Sequence, residues 1–239
     1  RSMFIRFDCE DPRLSDVRVR QAFNHAVDKD LLVSALLLGN GEVLDGQPIG
    51  RQIVGHNDEL EAYPYDPDLA RQLLEEAGFD FDEPLTMFGT VGRYTADQDI
   101  TQAVAGMLGE VGVQIEVQPL EWGVWLTRYR DGTLTPLTFV GIHTSVPDAF
   151  TLLDTHSSAS IGGKFKNPDF DAIMNEAAST IEPDARIELY NQASQLLRDE
   201  AGLLFLYQQY DIYAANHEVE GIDFRPDDAI DLVQAAPAS

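Results

Sequence analysis

The sequence predicts an α/β fold, a mixed central sheet flanked by helices on both faces, over about residues 3–225. Short strand-like apolar runs alternate along the chain with amphipathic segments of helical length. Several of those segments open on a capping residue or Pro and stop at Gly. The 239 residues are 44% hydrophobic, enough for a sizeable core in one large domain or two small ones.

Met3–Phe7 reads as the first strand. Ser15 or Asp16 can cap a helix through Val17, Ala22, Phe23 and Ala26. Asp28 can cap a second, Leu31–Leu38, which stops at Gly39-Asn40-Gly41 before a Gly/Pro-rich loop, Gly46–Gly55. The clearest helix is Asp66–Ala77, with Asp66 as cap, Pro67 at the first helical position and Gly78 as the left-handed stop. Leu85–Phe88 is a strand. Thr95 and Gln98 match a capping box that opens a helix through Ala103 and Leu108. Val113–Val117 alternates like a half-buried strand. Glu121–Arg130 reads as a short helix carrying Trp122 and Trp125, and Leu137–Ile142 as a strand. Pro168–Ser179 and Pro183–Glu200 are helices. Leu203–Tyr207 and Ile212–Ala215 close the fold as strands.

Charge excludes some partners. The formal net charge is -25, from 41 acidic against 16 basic residues, so neither nucleic acid nor an anionic membrane surface is an expected partner. No apolar run is long enough to span a bilayer, so direct membrane insertion is not expected. Thirteen arginines outnumber three lysines, which fits either a GC-rich genome or adaptation of a carboxylate-rich surface to high salt. Cys9 is the single cysteine, which excludes an intrachain disulfide, and reads as a small buried side chain. The chain begins at Arg1 with a strand pattern and no signal peptide, as an excised fragment would.

Enzyme signatures are absent: no G-x-S-x-G, no H-E-x-x-H, no phosphate-binding lysine loop. No cofactor is expected. His143, Asp148, Asp154 and His156 form the one local group of metal-capable side chains, and the competing reading is a solvated loop. Trp122, Trp125, Tyr207, Tyr210 and Tyr213 fit either core packing or the apolar wall of a ligand cleft.

The run Asp16-Val17-Arg18-Val19-Arg20-Gln21-Ala22-Phe23-Asn24-His25-Ala26-Val27-Asp28 resembles the D-x-R-V-R-Q-A-x-N-x-A-[IV]-D signature of family 5 extracellular solute-binding proteins. These are the dipeptide, oligopeptide and nickel receptors of ABC importers. Tyr65–Gly78 is similar to that family's Y-D-P-x-x-A-x-x-L-L-x-E-A-G. Leu108–Val117, Asn167–Asp171, Ala185–Tyr190 and Val219–Gly221 resemble its later stations.

The resemblance implies a class II periplasmic-binding-protein-like lobe. It places the C-terminal ligand-binding lobe at residues 1–225 and a tail at 226–239, with the N-terminal lobe outside this chain. It also implies no enzymatic activity, an extracytoplasmic location, a peptide or peptide-sized cargo and the transmembrane subunits of an ABC permease as partner. The runners-up are a metal or metal-chelate receptor using His143, Asp148 and His156, and a receptor for a non-peptide solute such as an oligosaccharide.

The signature residues Arg18 and Arg20 lie near a helix start and are expected to have carboxylate partners. One stretch departs from the family pattern. Where peptide-binding members usually carry Trp this chain has Ile142, and Ser145 stands near their amine-binding Asp. Loops at strand carboxyl ends are where α/β folds place ligands, so Gly141–Phe150 is the expected ligand-facing rim. Its polar candidates are His143, Thr144, Ser145 and Asp148, with Trp122 or Trp125 as apolar wall. Arg93-Tyr94 and Tyr207–Tyr213 are the alternative locations.

Overall fold

Six strands form one mixed sheet: β1 (Ser2–Phe7), β2 (Gly41–Val43), β3 (Leu85–Val91), β4 (Ile115–Glu121), β5 (Leu137–Ile142) and β6 (Leu203–Gln209). Their spatial order is β2-β6-β1-β5-β3-β4. β3 runs parallel to β4 and β5, whereas β1 is antiparallel to both β5 and β6. The carboxyl ends of β3, β4, β5 and β6 therefore all reach one edge of the sheet, beside the amino end of β1. The computed structural model describes residues 1–225 and 229–238.

The helices are α1 (Val17–Ala26), α2 (Lys29–Leu31, continuing into a π-helical turn Leu32–Leu36), α3 (Pro67–Ala77), α4 (Asp97–Glu110), α5 (Trp122–Arg130), α6 (Phe150–Asp154), α7 (Pro168–Ser179) and α8 (Pro183–Asp199). Strand alternation divides the core in two. Met3, Ile5 and Phe7 of β1 join Phe23, Leu74 and Val104 from α1, α3 and α4 in one cluster. Phe4 packs in the other with Trp125, Phe170, Tyr190 and Phe205. Helices on both faces are thus a packing requirement, because both faces of β1 are apolar apart from Arg6 and Ser2.

Most local signals act as expected. Asp16 accepts from the Arg18 amide, Asp66 caps α3, and Gly78 takes φ 68° beyond its end. The Thr95–Gln98 capping box does not form. Ala96 precedes α4 in a left-handed conformation, and the Asp97 carboxylate collects the local amides instead. Ile212–Ala215 is irregular, because β6 continues to Gln209 and the chain then leaves the sheet. The half-buried strand lies later than its alternation indicated, at Ile115–Glu121.

Arg18 has its expected carboxylate, Asp16, at 2.6 Å. Arg20 is different: 4% exposed, it donates to the Glu200, Ala201, Leu14 and Ser15 carbonyls, and the Glu200 carboxylate stands at 3.6 Å. A cation over the last carbonyls of α8 is favoured by the helix dipole. Asn24, fully buried, donates to the Leu203 carbonyl and accepts from the Phe205 amide, tying α1 to β6. The D-x-R-V-R-Q-A-x-N run is therefore a packing device.

Beyond β6, two short ribbons pair β7 (Val219–Glu220) with β10 (Ala236–Pro237) and β8 (Asp223–Phe224) with β9 (Ile230–Asp231). They pair across the expected lobe–tail boundary at residue 225.

Candidate ligand site

The cavity of interest opens at the sheet edge where the strand carboxyl ends gather. Its volume is about 580 Å³. Ile142, His143, Thr144, Ser145 and Pro147 supply one wall from the segment after β5. Gln208, Gln209, Tyr210, Asp211 and Tyr213 supply another from β6 onward, and Ser2, Gly50, Gln52 and Ile53 close the floor. A rim after β5 follows from topology: a strand that ends at an exposed sheet edge must hand its next residues to a loop there.

The wall after β5 is held by backbone pairing. Val54 donates to the Pro147 carbonyl at 3.1 Å, and the Ala149 amide donates to Val54 at 2.9 Å. Thr144 Oγ1 donates to the Val146 carbonyl and accepts from the Val146 amide, closing a tight turn. The facing loop is locked by Gln47, whose amide both accepts from the Asn57 amide and donates to the Asn57 carbonyl. Gly50 lets the Gln208 amide lie against the backbone, where a Cβ would stand 2.6 Å from Oε1. Gln208 in turn accepts from Ser2 Oγ.

The nine expected site residues separate into three groups. Ile142, His143, Thr144 and Ser145 line the cavity. Arg93 and Trp122 stand at the carboxyl ends of β3 and β4, on the same sheet edge but outside that lining, with the guanidinium 4.7 Å from the Trp122 ring centroid. Tyr94, Trp125 and Asp148 are packing residues. Tyr94 is 8% exposed, and its hydroxyl donates to the Gly141 carbonyl and accepts from the Gly141 amide. Burial raises its pKa. Trp125 is buried and stacked between Trp122 and Tyr129, centroids 5.2 and 4.8 Å away.

Asp148 is absorbed by a network rather than presented to the cavity. Its Oδ1 accepts from the Phe150 amide and the Tyr190 hydroxyl, both at 2.9 Å, and Arg186 Nη2 lies 3.3 Å away. Burial, reinforced by donation to Asp148, raises Tyr190 to about 12. The His143–Asp148–His156 grouping does not form either. His156 is 2% exposed, edge-on to Phe4, and held well below its ordinary pKa by burial and then by the Arg6 charge. Among the described residues no cluster of three or more metal-capable side chains exists.

Sequence reasoning reached Gln208 and Asp211 only within the alternative location Tyr207–Tyr213, because reading Ile212–Ala215 as strand concealed the loop that begins at Tyr210. It missed Asp97, 4% exposed, whose carboxylate accepts from Thr90 Oγ1 and from the amides of Gly92, Arg93, Tyr94 and Gln98. That shell shapes the loop that carries Arg93.

Residues 1–164 match the model of the bacterial extracellular solute-binding proteins, family 5. The chain belongs to this family. It is 31% identical over 206 residues to heme-binding protein A of Haemophilus influenzae, covering 83% of this chain and 37% of that one. It is 27% identical to the dipeptide-binding protein of Escherichia coli, covering 91% and 42%. The chain thus spans about two fifths of the length of these relatives. A solved dipeptide-binding protein from Pseudoalteromonas sp. SM9913, in complex with Met-Leu, shares the fold with a TM-score of 0.86 at 23% identity, over 99% of this chain and 48% of that one. Family 5 members are binding proteins, and the site described here is a binding surface in form: a concave, mixed polar and apolar wall at strand ends.

Proposed function

We propose that this chain is the C-terminal lobe of a two-lobed receptor. That receptor captures a peptide or peptide-sized solute between its lobes, outside the cytoplasm, and delivers it to the transmembrane subunits of an ABC importer. The observation that carries the reading is the cavity at the strand carboxyl ends. It combines hydrogen-bonding groups from His143, Thr144, Ser145 and Gln208 with apolar area from Ile53, Ile142 and Tyr210. An extended peptide needs both: partners for its amides and pockets for its side chains.

Among the described lining residues Asp211 is the single carboxylate. We assign it as the partner for the solute's ammonium, since Ser145 stands near where peptide-binding members carry an Asp. Arg93 and Trp122 extend the wall along the same edge. No catalytic step is assigned to any of these groups. The metal-chelate alternative is the weaker reading, since its three candidate ligands serve packing and cavity-lining roles in separate places.

The test is calorimetric titration of the full-length protein with a panel of di- and tripeptides, an oligosaccharide and a ferric chelate. Peptide binding that Asp211→Asn weakens about tenfold supports the reading; binding of the chelate or the sugar alone overturns it. The 239-residue chain by itself should bind the same peptide at least tenfold more weakly, because half the contacts are missing.

A further inference from the structure

A second, much smaller cavity lies toward the other end of the sheet. β1 places Ser2 opposite Ile142 at the cargo cavity and Arg6 opposite Thr138, four residues and about 13 Å further along the strand. Arg6 is 4% exposed. It lines a cavity with room for one water-sized particle, about 10 Å³, together with Tyr129, Thr138, Gly162 and Lys164.

Among the described residues no carboxylate pairs with Arg6. A guanidinium stays protonated at any accessible pH. Its Nη1 donates to the Tyr129 hydroxyl, but Nε and Nη2 are buried with no hydrogen-bond partner. Among the described residues no carboxylate lines the cavity. The nearest relief is aromatic: the guanidinium sits 5.3 Å from the Tyr129 ring centroid and 5.8 Å from that of Phe4. Ring faces attract a cation without satisfying its N–H groups. His156, buried nearby and held neutral by its surroundings, adds no negative charge. A buried cation without a counter-charge is strongly unfavourable, so an occupant is required.

The lining selects its chemistry. The side-chain nitrogens around it are all donors. Arg6 offers the N–H groups of Nε and Nη2. Tyr129, having accepted from Arg6, has its own proton to give. Lys164 adds a second positive charge at the rim, with Asp8 3.2 Å from its ammonium. Thr138 spends its hydroxyl proton on the Leu134 carbonyl. The space beside the guanidinium suits one atom-sized particle better than phosphate, sulfate or a carboxylate. Gly162 closes the space: a Cβ there would stand 1.8 Å from Arg6 Nη1 and 2.1 Å from the Tyr129 hydroxyl.

We propose that this cavity is a site for a single halide ion, chloride in vivo, which neutralises Arg6 and locks β1, α5 and the 157–164 loop together. The site is independent of the cargo cavity.

Two measurements test it. Crystals of the full-length protein soaked in sodium bromide should show anomalous bromine density about 3.3 Å from Arg6 Nε or Nη2. Water-strength density with no anomalous signal would mean the occupant is water and overturn the proposal. In solution, thermal unfolding in sodium chloride against sodium gluconate, at equal sodium, should show halide-specific stabilisation. Tyr129→Phe keeps the ring stack and removes one donor, so its apparent chloride affinity should fall about tenfold. Equal chloride dependence in both proteins, or bromide seen in soaked crystals with no chloride dependence in solution, overturns it as well.

Discussion

Asp97→Asn isolates the device that shapes the loop after β3. The carboxylate takes three donors on Oδ2, from Thr90 Oγ1 and the Arg93 and Tyr94 amides, and two on Oδ1, from the Gly92 and Gln98 amides. Asparagine is the same size but carries one acceptor oxygen. If its oxygen keeps the three-donor side, its NH₂ faces two N–H groups that then have no acceptor. Hydrogen bonds to a charged group contribute about 1.5–3 kcal/mol each, so losing two costs about 3–6 kcal/mol. That is a large share of the roughly 5–15 kcal/mol of a typical domain. Urea denaturation at pH 7 measures it. Hydrogen exchange should show lost protection at the amides of Gly92, Arg93 and Tyr94. Asp99→Asn, an exposed neighbour on the same helix, is the control and should change stability by less than about 0.5 kcal/mol. A loss below about 1 kcal/mol in Asp97→Asn, with unchanged exchange, would mean that the carboxylate does not hold this loop.

Asp148→Asn should lower stability by about 2–4 kcal/mol, through the Tyr190 and Arg186 contacts, while leaving cargo affinity of the folded receptor within twofold; paired melting and titration experiments decide this. His156 is buried neutral, with a folded pKa well below its ordinary 6.5, so the unfolded chain binds more protons as the solution is acidified. Stability is full above about pH 6.5 and falls below it, by about 2 kcal/mol between pH 7 and pH 5. Urea midpoints across that range should fall more steeply in the wild type than in His156→Gln. Burial lowers His25 as well, so the comparison must be variant against wild type.

The fold was readable wherever a local signal and the packing agreed. Asp66-Pro67 and Gly78 bound α3 as written, and Leu137–Ile142 is β5 residue for residue. Errors arose where a tertiary partner overrode the local pattern. Thr95 and Gln98 have the spacing of a capping box, yet Asp97 reaches five donors and wins. Gly41–Val43 is too short to signal a strand and becomes one only because β6 lies beside it. The site was half legible. That the loop after β5 faces a cavity follows from strand order. That Asp148 serves Tyr190 and Arg186 does not, since those partners are 42 and 38 residues away. Arg20 was assigned a carboxylate and found mostly carbonyls, because the end of α8 is distant in sequence and adjacent in space.

The most direct test of the central claim is a crystal structure of the full-length protein purified with its natural solute, paired with mass spectrometry of the released ligand. A peptide-sized molecule should lie between two lobes, in contact with Ile142–Ser145 and Tyr210, with its ammonium against Asp211. Solute density at another face of the sheet, leaving that cavity to water in a closed receptor, would contradict it.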